Sequence, residues 1–457
     1  MGARNSAALL AGRAAAVLSR RLGRGGGTVI AGHLVPRLAP NALRDVTVSL
    51  PHGSIVVSGT NGKTTTTRLL SHILRSAGLR PIHNRAGANL LSGLFTAIAQ
   101  ETDWRGRPRG DIGLFEVDEA TVPAALTHVR PRVLLLHNIF RDQLDRYGEV
   151  HFVAGLWREA AARLSTSTTL VANADDPLLA DLRAGLTYGV ADEALGSATL
   201  PHAMDARLCP RCGASLRYQR VYYGHLGHYA CSRCEFARPT PAVVATSVEL
   251  LGDAGSNLVV ATPDGVMRAR LHLPGLYNVY NAVAAVAVCH VLGVPREVVA
   301  RGIETFTAAF GRVERIAVED RTVFLALVKN PVGFTEVLRT VLAQPGRRTL
   351  LIAINDLFAD GTDVSWLWDV EFEQLVERVN VAVCSGLRAE DMAVRLKYAG
   401  IEPARIVVEN DPRRAIERTL AAAEPQETVY VLPTYTAMLA IRDILRQTGY
   451  VRGFWED

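Results

Sequence analysis

Lysine is almost missing from this chain. Of its 50 basic residues, three are lysine (Lys63, Lys329 and Lys397) and the rest are arginine. Base composition of the genome is the simplest cause, since alanine and valine are also abundant. A lysine standing inside a Gly-Thr-rich loop, as Lys63 does, therefore suggests chemistry that needs a compact ammonium rather than a planar fork. Acidic residues are missing from the first 44 positions, which carry seven arginines. That composition resembles a transit peptide, and Met1-Gly2 followed by Ser6 fits the loose myristoylation pattern. The plainer reading is an amphipathic helix over Ala7 to Leu22 and a Gly-rich turn at Gly23 to Gly27. No apolar run reaches the roughly 20 residues needed to cross a bilayer, so a cytoplasmic protein is expected. Its Arg-rich arm would then be free to lie near the anionic inner leaflet of the plasma membrane. A net charge of +5 on 50 basic and 45 acidic residues is too small to argue for nucleic acid. Internal repeats and low-complexity tracts are absent too.

The 457 residues, 49% of them apolar, suffice for one to three domains with a sizeable core. Strand signals recur at Ser54 to Val57, Ile112 to Val117, Val133 to His137, Thr169 to Asn173, Val323 to Val328, Thr349 to Ile354, Val381 to Cys384, Ile406 to Val408 and Thr428 to Leu432. Helical patterns separate most of them, which argues for an α/β fold with parallel sheets covered on both faces. The Cys-, Tyr-, His- and Arg-rich stretch from about Leu200 to Pro241 reads as an insertion. A second change falls near Gly311. The expected organisation is an N-terminal helix and arm (1–45), a central ATP-binding domain (46–311, with an insert at 203–240), and a Rossmann-like α/β domain (312–457).

The stretch VSGTNGKTTTTRLL (57–70) ends like a phosphate-binding loop, but its first glycine is Gly59, where the common pattern would put it at Val57. Strand, loop and helix (Thr64 to Ala77) are nonetheless in the required order. Such a loop turns backbone N–H groups onto an anion at a helix N-terminus, adds a mobile lysine, and uses the next hydroxyl to hold Mg²⁺. Cys209, Cys212, Cys231 and Cys234 form C-x2-C-x18-C-x2-C, a spacing that suits a closed, structural tetrahedral zinc site. The rival is two disulfides, which a cytosolic enzyme disfavours. His225, His228 and Tyr229, between the two knuckles, read as packing rather than ligands. Cys289 and Cys384 lie in apolar runs and read as core.

Gly59-Thr60-Asn61-Gly62-Lys63-Thr64-Thr65 resembles the loop of the Mur ligases and folylpolyglutamate synthases, where the first glycine is likewise displaced. Asn84 to Asn89, Asn138 to Gly148, Asn173 to Pro177, Gly275 to Asn281 and Lys329-Asn330-Pro331 resemble further family segments in the family's order. The resemblance implies an enzyme that uses ATP to phosphorylate a carboxylate and lets an amine attack the acyl phosphate. It implies ATP across Gly59 to Thr65 with Lys63 on the β/γ-phosphates, Mg²⁺ on Thr64 and Glu116, and Asn281 on adenine. Arg312 and Glu314 are expected at the nucleotide from the domain seam.

The departures narrow the family. Position 143 is Gln143 where typical Mur ligases have a metal-binding His. No lysine lies between Lys63 and Lys329 to be carbamylated, and only about 45 residues precede the loop strand. With the four-cysteine insert and NDLFADGTDVSWLWD (355–369), the chain resembles the MurT family, ligase subunits of lipid II isoglutaminyl synthase. That resemblance implies amidation of the D-Glu α-carboxylate of lipid II to D-isoglutamine, with ammonia from a partner glutaminase, GatD, in a heterodimer. It also implies that Asp363 completes the partner's Cys-His triad by orienting the His. The competing role for Asp363 is capping a helix over Ser365 to Arg378; Asp356, Asp360 and Asp369 read as solvated or locally bonded. Two other functions stay beside this one: a Mur or folylpolyglutamate-type ligase adding an amino acid, and a zinc-ribbon ATPase binding nucleic acid through Arg211, Arg217, Arg220 and Arg233 with Tyr218, Tyr222 and Tyr223. Nucleic acid is not the expected partner.

Overall fold

The computed structural model describes residues 2–21, 28–84, 88–142, 150–201, 204–307 and 313–451. Three helices open the chain: α1 (Ala3–Arg21), α2 (Thr28–Leu38) and α3 (Ala42–Ser49). An α/β series follows: β1 (Ser54–Ser58), α4 (Lys63–Ser76), β2 (Pro81–His83), α5 (Leu91–Gln100), β3 (Ile112–Glu116), α6 (Val122–His128), β4 (Val133–Leu136), α7 (Val150–Ala162), β5 (Thr169–Asn173) and β6 (Leu186–Val190). Next come a ribbon of β7 (Leu216–Tyr223) and β8 (Leu226–Cys231), then β9 (Val243–Leu250), β10 (Ser256–Thr262) and β11 (Gly265–Leu271), and helices α8 (Leu276–Leu292) and α9 (Arg296–Glu304). A second unit has β12 (Val313–Val318), β13 (Arg321–Ala326), α10 (Pro331–Leu342), β14 (Arg348–Ala353), β15 (Val379–Ser385), α11 (Ala389–Tyr398), β16 (Ile406–Val408), α12 (Pro412–Ala422), β17 (Thr428–Pro433) and α13 (Tyr435–Gln447).

Among the described residues the large sheet runs β11-β10-β9-β6-β5-β4-β1-β3-β2 and the second sheet β12-β13-β17-β14-β15-β16. β1 is wholly buried. Its Ile55 and Val57 join the core on one face and Val56 the core on the other, as expected of a parallel strand covered twice. β13 does the same in the second sheet, with Phe324 on one face and Val323 and Leu325 on the other. The three N-terminal helices supply Leu9, Val35, Leu43 and Val46 to the core that also takes Val56, Leu94 and Trp157. α8 is apolar nearly all round and buried from Leu276 to Cys289 except at Tyr277, which marks an internal helix. It packs on α4, β6 and β9 and carries Asn278 and Asn281 inward.

The sheets are mixed rather than parallel throughout. β9, β10 and β11 form an antiparallel meander on one edge, and β12 pairs antiparallel with β13. The turn between β10 and β11 holds Asp264-Gly265, with Gly265 at φ +124°. Thr262 pairs with Gly265, leaving Pro263-Asp264 as the loop, and β11 then alternates with Met267, Ala269 and Leu271 buried.

The helix expected over Ser365 to Arg378 is absent. Two 3₁₀ turns, Ser365–Asp369 and Phe372–Leu375, stand in its place. Trp366 and Phe372 both pack on Phe334 of α10, with ring centroids 6.3 and 5.0 Å away. Residues six apart in an α-helix point about 240° apart around its axis, so the chain must break to bring both rings onto α10.

Candidate active site at the phosphate loop and its neighbours

The loop from Gly59 to Gly62 joins the buried β1 to α4. Val57 is a core residue of β1, which is why no glycine belongs there. Gly62 has φ +88°, and a Cβ on it would lie 2.0 Å from Asn281 Oδ1 and 2.7 Å from His137 Nε2. Side chains from two other elements press on the loop, so only glycine fits. Asn138, just past β4, holds the loop from below. Its Oδ1 accepts from Asn61 N at 2.9 Å, and its Nδ2 donates to Asn61 O at 3.1 Å. The Thr60 hydroxyl accepts from Phe140 N at 3.0 Å.

Lys63 opens α4 and is buried. Its Nζ donates to Gly59 O at 2.5 Å and to Glu119 Oε1 at 2.9 Å. Burial works against the ammonium charge, but Glu119 first, then Glu116 and Asp118, outweigh it and hold the pKa above its ordinary value. Burial pushes the Glu119 carboxyl up against the pull of Lys63. Thr64 Oγ1 donates to Glu116 Oε1 at 3.1 Å. Glu116, at the end of β3, is clamped by Asn84, which accepts from Glu116 N at 2.8 Å and donates to Glu116 O at 2.7 Å. Two hard oxygens side by side suit a divalent cation such as Mg²⁺. Thr65 lies on the wall of the adjoining cleft.

His137 follows β4 and is fully buried. Burial holds its pKa down to about 4, so the imidazole is neutral at pH 7. Nδ1 faces the Tyr188 hydroxyl, which burial keeps protonated and which also donates to His137 O at 3.4 Å, while Nε2 faces an amide oxygen that can only accept. Nε2 therefore carries the ring proton and donates to Asn281 Oδ1 at 2.7 Å. Asn281 Oδ1 also accepts from Thr66 Oγ1 at 3.3 Å, and its Nδ2 donates to Asn278 at 3.0 Å. Asn281 thus braces the loop at Gly62 while lining the cleft.

That cleft lies between the two α/β units. Asn61, Gly62, Thr65, Tyr277 and Asn281 face Lys329, Gly333 and Glu336 across it. Asn330 caps α10, accepting from Gly333 N at 2.8 Å, and donates to Asn61 Oδ1 at 2.9 Å. Glu336 is buried, and its carboxyl is pushed up to about 7 by burial, against the pull of Arg339. Glu314 bonds Arg442 at 3.1 Å from β12. Arg312, Gln143 and the 85–87 part of the Asn84 segment lie outside the described residues.

The four cysteines of the ribbon gather, with every Sγ within 4.8 Å of the others. Cys209–Cys234 and Cys212–Cys231 are 3.6 and 3.4 Å apart. Two sulfurs bonded to one zinc at ~2.3 Å in a tetrahedron lie about 3.8 Å apart, whereas a disulfide needs ~2.05 Å. All six cysteines are free, and Cys289 and Cys384 are buried. His225, His228 and Tyr229 serve the ribbon's seat, not the cluster: His225 pairs with Asp176 at 3.2 Å, His228 with Val190 O at 3.0 Å, and Tyr229 with Ala174 O at 3.0 Å. Asp175 takes Arg238 at 2.6 Å and Tyr280 at 2.6 Å; Asp176 takes Ile139 N at 2.9 Å. The turn 173–177 thereby ties the ribbon to the segment that holds the phosphate loop.

Asp363 stands on a different element, the loop after β14, and its Oδ1 accepts from Ser365 N at 2.8 Å. Three aromatic side chains of this unit are exposed: Phe358 by 80%, Tyr398 by 72% and Trp368 by 55%. Trp368 and Tyr398 lie 5.8 Å apart. Asp360 bonds Thr436 and Asp356 bonds Arg388, while Asp369 reaches Arg141 at 3.1 Å.

A family model for the Mur ligase middle domain matches residues 57–199, and one for the MurT ligase C-terminal region matches 327–438. Over 458 aligned residues, 99% of both chains, the sequence is 33% identical to the lipid II isoglutaminyl synthase (glutamine-hydrolyzing) subunit MurT of Streptococcus pneumoniae. The chain belongs to the MurT family. The MurT of Staphylococcus aureus strain N315 is 30% identical over 437 residues, 94% of this chain and 95% of that one. A pseudomurein peptide ligase type C from Methanothermus fervidus shares the fold, with a TM-score of 0.71 and 22% identity over 91% of this chain and 84% of its own. In this MurT-family chain, sequence reasoning missed His137, Asn138 and Glu119. Glu119 had one available signal, its place as the third carboxylate in the run Glu116, Asp118, Glu119 that follows β3. His137 had none, because its role comes from contacts 51 and 144 residues away.

Proposed function

We propose that this chain is the ATP-dependent ligase subunit of a lipid II isoglutaminyl synthase, converting the D-Glu α-carboxylate of the lipid II stem to D-isoglutamine by way of an acyl phosphate. Ammonia comes from a GatD-like glutaminase bound as a heterodimer. The observation that carries this reading is the match over 99% of both chains to a subunit bearing that activity in its name. The site supports it. Gly59 to Thr65 wrap the phosphates, Lys63 exchanges Glu119 for the β/γ-phosphates, and Thr64 and Glu116 hold Mg²⁺. Asn281 contacts adenine in this reading, and Tyr277 lines the same cleft. ATP supplies the phosphoryl group that turns a carboxylate oxygen into a leaving group, and Mg²⁺ offsets its charge. Cys209, Cys212, Cys231 and Cys234 hold zinc as a structural ion, since four thiolates leave no open position.

Asp363 orients the partner's His in this reading. The exposed Trp368 and Tyr398, whose rings lie 5.8 Å apart in the same unit as Asp363, support a docking role for this unit, since exposed aromatic surface marks interaction sites. Among the described residues no helix is long and apolar enough to cross a membrane; in this reading the enzyme meets lipid II from the inner face.

Mass spectrometry of lipid II incubated with the chain, ATP, Mg²⁺ and ammonium is the test. Loss of about one mass unit at D-Glu, the replacement of OH by NH₂, is expected, and is absent in Lys63→Ala, which loses the phosphate-binding ammonium. Product formed from a free amino acid instead of ammonium would refute the reading.

A further inference from the structure

Of the three lysines in the chain, Lys63 belongs to the phosphate loop and is buried against Glu119, and a second, Lys329, stands at the cleft beside that loop. Lys329 sits between β13 and α10 and lines the same cleft as Asn61, Gly62 and Thr65. Its Nζ is bonded to Asp142 Oδ2 at 2.5 Å and is part exposed. The other oxygen, Asp142 Oδ1, is buried with no hydrogen-bond partner. The next residue, Asn330, is bonded to Asn61 of the loop, so the backbone of Lys329 is held beside the phosphate end of the cleft. Glu119, the partner of Lys63, also feels the charge of Lys329 and of Asp142. Four carboxylates (Glu116, Asp118, Glu119 and Asp142) thus face two ammonium groups at this end.

We infer that Lys329 is a second phosphate-binding cation of the reaction, one that leaves Asp142 for the γ-phosphate of bound ATP and stays with that phosphoryl group as it passes to the carboxylate. The inference rests on the ATP-ligase reading above. The transfer forms a bond from a carboxylate oxygen to the γ-phosphorus and breaks the bond from that phosphorus to the β,γ-bridging oxygen, whose electron pair leaves with ADP. Negative charge moves along that line, and Lys63, anchored at the loop, stays at the ADP side. A cation from the opposite wall is placed to follow the departing group. A compact ammonium on a flexible stem suits a moving target better than a planar fork, and arginine fills nearly every other basic position here. Releasing Lys329 leaves Asp142 without that partner, so the triphosphate must offset the cost of an unpaired carboxylate, and Asp142 is the residue whose neutralisation should favour the transfer.

Equilibrium binding of ADP and of a non-hydrolysable ATP analogue, with Mg²⁺, to the full chain tests this. Lys329→Met should weaken the triphosphate about tenfold or more, the loss of one charge-assisted contact, and leave ADP within about twofold. Lys329→Arg, which keeps the charge, should recover most of the triphosphate affinity. Asp142→Asn should strengthen triphosphate binding by releasing the lysine. If the pair is only a latch between the two units, Lys329→Met and Asp142→Asn will lower the melting temperature alike and change both nucleotides together, which overturns the inference. Unchanged binding in Lys329→Met while Lys63→Ala loses both nucleotides overturns it too and leaves the ATP reading standing. An unaltered chain that binds neither nucleotide overturns both.

Discussion

Gly62 shows how little room the phosphate loop allows. A methyl group there meets Asn281 Oδ1 and the His137 ring at less than 3 Å and also strains a left-handed backbone. Gly62→Ala is expected to cost about 1–3 kcal/mol of stability and to abolish tight nucleotide binding, measured by thermal unfolding with and without ATP. Glu336 makes a second prediction. Its carboxyl is raised from 4.5 to about 7 by burial. The folded state therefore holds a proton that the unfolded state has lost. Its contribution is fully present below pH 4.5 and is lost as pH rises from 4.5 through 7. Glu336→Gln removes that loss, so the stability difference between variant and wild type should swing toward the variant by a few kcal/mol at most between pH 5 and 8, at ~1.4 kcal/mol per pKa unit. Denaturant titrations at several pH values would show it; a flat difference would mean that Glu336 ionises normally.

Apart from Tyr222, Tyr223 and Leu226, which join the large core, the ribbon has little core of its own, and the proposed zinc would be its main internal staple. Only Cys209, Leu216, Tyr229 and Phe236 are buried in its own cluster, and two short strands are marginal alone. Cys231→Ser should remove about one equivalent of bound zinc, read by elemental analysis. It should also lower the melting temperature, because the ribbon is seated on Asp175 and Asp176 and those residues brace the phosphate-loop segment through Ile139. Zinc retained at full occupancy in the variant would argue for a different ligand set. This coupling lies in a turn, Asn173 to Pro177, whose motif was readable but whose purpose was not. Its two carboxylates are fully buried and answered by residues on the ribbon, β6 and α8.

In the proposed enzyme, the energy chemistry and the nitrogen chemistry fall to different units of one chain. Lys63 and Glu116 belong to the first α/β unit, and Asp363 to the second. Asp363→Asn is expected to spare ammonium-driven amidation and reduce glutamine-driven amidation by several hundredfold or more, as loss of a His-orienting carboxylate does in triads. Trp368→Asp should abolish co-elution with the glutaminase while leaving ammonium-driven activity. Equal losses with both nitrogen sources in Asp363→Asn would point to a folding role for this loop.

Local rules made much legible in advance. β1 and the helix from Thr64 were readable because a β-branched run, glycines and an apolar period act within a few residues. The zinc knuckles were readable because two C-x2-C turns bring their own sulfurs together, and only a second knuckle is then needed. The ribbon strand β7 and the edge pair β9 and β10 escaped because register shifts interrupt their alternation, whereas β11, with Met267, Ala269 and Leu271 inward, alternates cleanly and was overlooked. The tertiary fold settled what depends on distant partners. It broke the 365–378 segment over Phe334, buried His137 until it lost its proton, and tied Asn61 to Asn330 across 269 positions. Sequence proximity carries short-range torsional and metal-knuckle preferences, whereas burial and electrostatics are set by whatever the folded chain brings within a few ångströms.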